Sequence, residues 1–158
     1  MTEYTEIHRP QFHFTSKRKW INDPNGLVYF NGVWHLFFQH NMEANTWGPM
    51  WWGHAVSSDL LHWEQKDHAL HPDKMGSMFS GSAVVDYYNT SGFGENAIIL
   101  FYTAANRDDS QASYTQCMAY SLDNGVSWEK YANNPVVKTM VGEDRDPRVV
   151  WHAKTQQW

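Results

Sequence analysis

A stretch of this chain is written twice, at an offset of 64 residues. Ala55, Ser57 and Asp59 recur as Ala119, Ser121 and Asp123, and Trp63-Glu64 recurs one position further on as Trp128-Glu129. Leu36-Phe37-Phe38 recurs as Leu100-Phe101-Tyr102. A fixed period of this kind marks one supersecondary unit used repeatedly, each copy burying its apolar face against the next. A further series appears three times: Gly26-Leu27-Val28-Tyr29, Ser82-Ala83-Val84-Val85 and Arg148-Val149-Val150-Trp151. The chain therefore reads as two full units and the opening of a third.

Each unit reads as β-structure. Val33–Gln39 and Ala97–Tyr102 are short runs rich in β-branched and aromatic residues, which suit a pleated, half-buried surface. Turn residues separate the runs at Asn31-Gly32, Asn89–Gly92 and Asp123–Gly125. No stretch carries a sustained helical period with caps. The expectation is an all-β chain of four-stranded antiparallel units, arranged as propeller blades. Ser121–Trp128 resembles the S-x-D-x-G-x-x-W hairpin turn of several propeller families, in which the Asp and Ser bond turn backbone and the Trp packs beneath. Asp123 and Cys117 are accordingly read as structural, not catalytic.

Composition narrows the function. The 158 residues are 42 % apolar and 18 % charged, a globular balance with enough chain for one core. A net charge of −5 argues against nucleic acid or an anionic membrane surface as partner. No run approaches the roughly 18 apolar residues of a membrane span. The polar, acidic opening Met1–Glu6 does not read as a secretory leader. One cysteine and nine histidines without ligand spacing predict neither a disulfide nor a metal or other cofactor. Nine tryptophans are the anomaly. Indole faces stack on the C–H faces of sugars, and their N–H groups bond hydroxyls, although a β-rich core also uses large flat side chains.

Two Asp-Pro steps fall at matching points of the repeat. Trp20-Ile21-Asn22 leads into the turn-forming Asp23-Pro24-Asn25-Gly26, and Arg145 leads into Asp146-Pro147. A proline biases the preceding residue toward extended backbone, so both aspartates are expected to be extended. In a propeller the first strand of each blade lines the axis. Asp23, the Phe79-Ser80-Gly81-Ser82 segment and Asp146 would then open into one funnel. Converging carboxylates are the equipment of glycosidic-bond cleavage.

These segments closely resemble the signatures of glycoside hydrolase family 32, the invertases, levanases and exo-inulinases. The likeness runs from about His8 to the last residue and includes Phe38-Gln39, Trp47-Gly48 and Trp52-Gly53-His54-Ala55. It implies a five-bladed β-propeller, usually with a C-terminal β-sandwich, and retaining hydrolysis of β-fructofuranosyl bonds in sucrose, inulin or levan. By the same resemblance Asp23 is the nucleophile and Asp146 the transition-state stabiliser. Trp20, Asn22, Gln39, Trp47, Phe79, Ser80 and Arg145 would line the fructose pocket.

The chain departs from the family in one respect. The acid/base of these enzymes is a Glu in a Glu-Cys pair downstream of Arg-Asp-Pro. Here the single cysteine, Cys117, follows Gln116, and Glu143 does not match the position. Residues 1–158 are therefore expected to be the N-terminal part of the propeller domain, about two and a half blades, inactive alone. A non-catalytic sugar-binding propeller is the competing reading. A sialidase-like propeller ranks lower, because Arg145 and Arg148 lack a third arginine at a matching position.

Overall fold

The computed structural model describes residues 4–106 and 114–158. It contains β1 (Trp20–Phe30), β2 (Val33–Asn41), β3 (Trp51–Ser57), β4 (Glu64–Gln65), β5 (Ser77–Asp86), β6 (Ala97–Ala105), β7 (Tyr114–Ser121) and β8 (Glu129–Lys130). They form two four-stranded antiparallel sheets, β1-β2-β3-β4 and β5-β6-β7-β8. There is no helix among the described residues. Each sheet is one copy of the repeat, and the repeat is kept in register: Leu36 pairs with Ala55 as Leu100 pairs with Ala119.

The turns follow from residue type. Asn31 and Gly32 both have positive φ (49° and 84°), the primed hairpin geometry that matches strand twist. The second-sheet turn is closed by Asp123, which accepts from Ser121 Oγ, Val126 N–H and Ser127 Oγ. These donors, chiefly Ser127, hold its carboxyl down at about 2. Trp128 then lies beneath the turn, edge-on to Phe37 and His54 of the first sheet.

The core lies between the blades. Phe37, Trp52 and Leu70 from the first unit meet Met78, Leu100 and Tyr102 from the second, all at 1 % exposure or less. Burial of a Leu, Met or Phe side chain stabilises by about 1.5–3 kcal/mol. The inner strands β1 and β5 also approach closely. A Cβ on Gly26 (φ +50°) would lie 2.9 Å from that of Ala83.

Both inner strands are irregular where chemistry is expected. In β1, Ile21 pairs with His40 and Pro24 with Phe38, so Asn22 and Asp23 together oppose Gln39. In β5, Phe79 pairs with Thr103 and Gly81 with Tyr102, so Ser80 has no partner. Such bulges bend a strand and re-aim side chains. Asp23–Gly26 thus lies within a bulged strand and not in a β-turn. The third opening, Arg148–Trp151, forms no strand. Among the described residues no strand pairs with it, and the bridge between His152 and Gln157 follows.

The β5 bulge depends on Gly81. A Cβ there would meet the Phe101 carbonyl oxygen at 1.9 Å, a backbone atom that cannot swing away. Gly81→Ala is expected to lower unfolding stability by about 3 kcal/mol or more in urea denaturation. Gly142→Ala, in open space, should change it by less than about 0.5 kcal/mol.

Candidate active site

The bulges bring Asp23 and Ser80 together. Ser80 Oγ donates to Asp23 Oδ2 at 2.8 Å, across 57 residues of sequence. Asn22 Nδ2 donates to Asp23 Oδ1 (3.2 Å), and Trp20 Nε1 donates to Asn22 Oδ1 (2.8 Å). The carboxylate is solvent-facing, with each oxygen oriented by a separate donor.

The start of β5 is fixed by the first blade. Gln39 Nε2 donates to the Met78 carbonyl (2.9 Å) and Trp52 Nε1 to the Phe79 carbonyl (3.0 Å). Met78 N–H donates to the Met50 carbonyl. Gln39 is only 2 % exposed, with its amide N–H committed to the Met78 carbonyl. Phe79 continues an aromatic rim. Trp47, half exposed, meets it edge-on at 6.2 Å, and Tyr114 lies 6.0 Å beyond it. The Arg145 guanidinium sits 5.8 Å over the Tyr114 ring. Next to this rim is a cavity of about 360 Å³ lined by Trp47, Gly48, Gly76, Ser77, Phe79 and Ala105.

Asp146 arrives by a different route. After β8 the chain returns along β7: Asn134 bonds Met118, Val136 bonds Gln116, and Thr139 bonds the Tyr114 carbonyl. It then crosses β6, where Asp146 N–H donates to Thr103 Oγ1 (2.9 Å), and Val149 N–H donates to Ser82 Oγ (3.0 Å). Thr103 is the cross-strand partner of Phe79, the neighbour of Ser80. Asp146 is therefore linked to Asp23 through two hydrogen bonds and one rung of sheet.

The expectation of an extended Asp146 does not hold. Its φ is +63°, in the left-handed region that few non-glycine residues adopt. The local preference set by Pro147 is overridden by the hydrogen bond to Thr103. The Asp146 carboxyl is held above the usual carboxylate range. Burial is the main cause, Arg145 opposes it with its Nε 3.7 Å from Oδ2, and the charge of Asp23 adds to it. Arg145 is divided, since its Nη1 also binds Glu143 Oε2 at 2.7 Å.

Sequence reasoning missed Thr103, Gln116 and Tyr114. The signal was present, because Thr103 and Gln116 stand 64 residues after Gln39 and Trp52.

The sequence pattern of the glycosyl hydrolases family 32 N-terminal domain matches residues 13–158. The chain belongs to glycosyl hydrolase family 32. It is 49 % identical over 159 residues to the levanase of Bacillus subtilis (strain 168), covering 98 % of this chain and 23 % of that protein. It is 45 % identical over 160 residues to the invertase of Schwanniomyces occidentalis, covering 95 % of this chain and 29 % of that protein. The solved structure of the Schwanniomyces occidentalis fructofuranosidase complexed with fructose superposes with a TM-score of 0.89 at 43 % identity. That match covers 99 % of this chain and 32 % of the other. The chain thus spans roughly a quarter to a third of the length of these family 32 relatives.

A raised carboxyl implies a pH-dependent cost. Ionising Asp146 is harder in the fold than in the unfolded chain, so its contribution to stability falls as pH rises through its folded pKa. Asp146→Asn, which tolerates the left-handed backbone, is expected to melt higher than the parent at pH 7. The margin should shrink as pH is lowered toward 4, in paired thermal melts.

Proposed function

We propose that this chain carries the nucleophile and the transition-state stabiliser of a retaining hydrolase of terminal β-fructofuranosyl bonds. The observation that carries the reading is the Asp23 carboxylate. It is solvent-facing, gripped by Ser80 and Asn22, and electrostatically coupled to Asp146. Two acidic groups from distant parts of the sequence come within electrostatic reach of each other, beside an aromatic rim suited to sugar C–H faces.

In this reading an Asp23 oxygen attacks the anomeric carbon of the fructosyl unit as the glycosidic C–O bond breaks. The departing oxygen takes a proton from an acid. Water then attacks the same carbon, loses its proton to that group, and releases Asp23 and fructose, with retention. Asp146 holds sugar hydroxyls as positive charge develops on the ring. Trp20, Asn22, Gln39, Trp47, Phe79, Ser80 and Arg145 surround the fructose. The cavity beside Trp47 would take the leaving portion, glucose of sucrose or the next unit of levan or inulin.

The acid/base is assigned to a Glu outside these 158 residues, and the chain to the N-terminal part of the catalytic propeller. Glu143 does not replace it, being exposed and paired with Arg145. General acid catalysis is worth roughly 10²–10⁴-fold. The purified 158-residue chain is therefore expected to release no measurable fructose from sucrose, inulin or levan, and robust release would refute the assignment. In the whole protein, Asp23→Ala should cut kcat by several orders of magnitude while sugar binding persists, as read by calorimetry. A variant that keeps its turnover would remove Asp23 from the reaction.

A further inference from the structure

Both blades carry the same device at equivalent positions. On β2 and β3, the cross-strand pair Gln39 and Trp52 reaches out with two side-chain N–H groups to the carbonyls of Met78 and Phe79, where the chain enters the second blade. On β6 and β7 the pair 64 residues on is Thr103 and Gln116, again cross-strand partners. Gln116 Nε2 donates to the Asp144 carbonyl (2.9 Å), and Thr103 Oγ1 accepts the Asp146 N–H (2.9 Å). Thr103 in turn donates its hydroxyl proton to Gln116 Oε1 at 2.7 Å. Each blade thus grips the main chain beside the functional residue of the next one: Ser80 in one case, Asp146 in the other.

The second grip is the more consequential. Asp146 has a left-handed backbone (φ +63°) and precedes a proline, a combination that local sterics disfavour. Such a conformation persists only where its surroundings over-determine it. Thr103 is fully buried, and its hydroxyl donates to Gln116 and accepts from Asp146. The Asp144 carbonyl and Asp146 N–H are held on either side of Arg145, so the segment cannot rotate without breaking one of these bonds.

We propose that Thr103 and Gln116 are positioning residues for Asp146, holding its carboxylate toward Asp23. The catalytic part of this inference rests on the reading of Asp23 and Asp146 given above. The backbone grip itself does not.

The test uses the whole protein. Thr103→Val keeps the shape and removes the hydroxyl, and misplacement by about 1 Å costs on the order of 10²-fold. We expect kcat/KM for sucrose to fall by that order in Thr103→Val and to stay within about threefold in Thr103→Ser. In an Asp146→Asn background the Val substitution should cost less than about threefold, because the group it positions is gone. Gln116→Met, close in volume, should behave as a weaker Thr103→Val. The full loss recurring on top of Asp146→Asn, or a melting temperature that drops while kcat/KM of the folded enzyme is unchanged, overturns the proposal. Amide hydrogen exchange on the unsubstituted protein needs no variant to fold. The Asp146 amide should be protected by orders of magnitude relative to Arg145, and exchange at loop rates overturns the grip. If Asp23→Ala leaves fructose release intact, the reaction assignment fails, and the exchange result still decides the grip.

Discussion

The site depends on side chains of one blade bonding the backbone of the next. A propeller blade is a small sheet, and nothing within it fixes the angle or height of its neighbour. Apolar packing between Phe37, Trp52, Met78 and Tyr102 holds the blades together but is non-directional. Direction comes from the hydrogen bonds of Gln39 and Trp52 to the entry of β5. The first is buried and the second partly so, and a lost partner there would leave a carbonyl unsatisfied at a cost of about 1–3 kcal/mol. With that entry fixed, Phe79 and Ser80 have one position relative to Asp23.

Bulges re-aim the side chains of a regular scaffold. A flawless ladder would alternate side chains between faces. The extra residues at Asn22–Asp23 and at Ser80 break that alternation on two adjacent strands, and a 2.8 Å bond closes across the gap. The arrangement is asymmetric in chemistry. Asp23 is exposed and well supplied with donors. Asp146 is partly desolvated, repelled by Asp23 and only loosely served by Arg145. Two carboxyl groups in unlike environments take unlike roles.

Much of this was legible in the sequence, because the repeat and the turns are local signals. The 64-residue offset revealed two sheets, and the Asn-Gly and Asp-Asn-Gly turns marked hairpins that the structure contains. The Trp20–Gly26, Phe79–Ser82 and Arg145–Pro147 segments pointed to the family, and the structure brings them together. What was not legible is non-local. Pro147 pointed to an extended Asp146, and only the hydrogen bond to Thr103 from another part of the fold makes it left-handed. Asp23–Gly26 read as a turn because each residue favours one, yet pairing with β2 draws it into a strand. Arg148–Trp151 had the pattern of a strand, but among the described residues no strand pairs with it.

Asp23 and Asp146 share one electrostatic environment. Carbon-detected NMR titration of the Asp146 carboxyl, in the parent chain and in Asp23→Asn, tests it most directly. The expected result is that Asp146 titrates above the usual carboxylate range and moves down when the Asp23 charge is removed. A titration of Asp146 that is unchanged by Asp23→Asn would mean that the two carboxylates do not face a common cup.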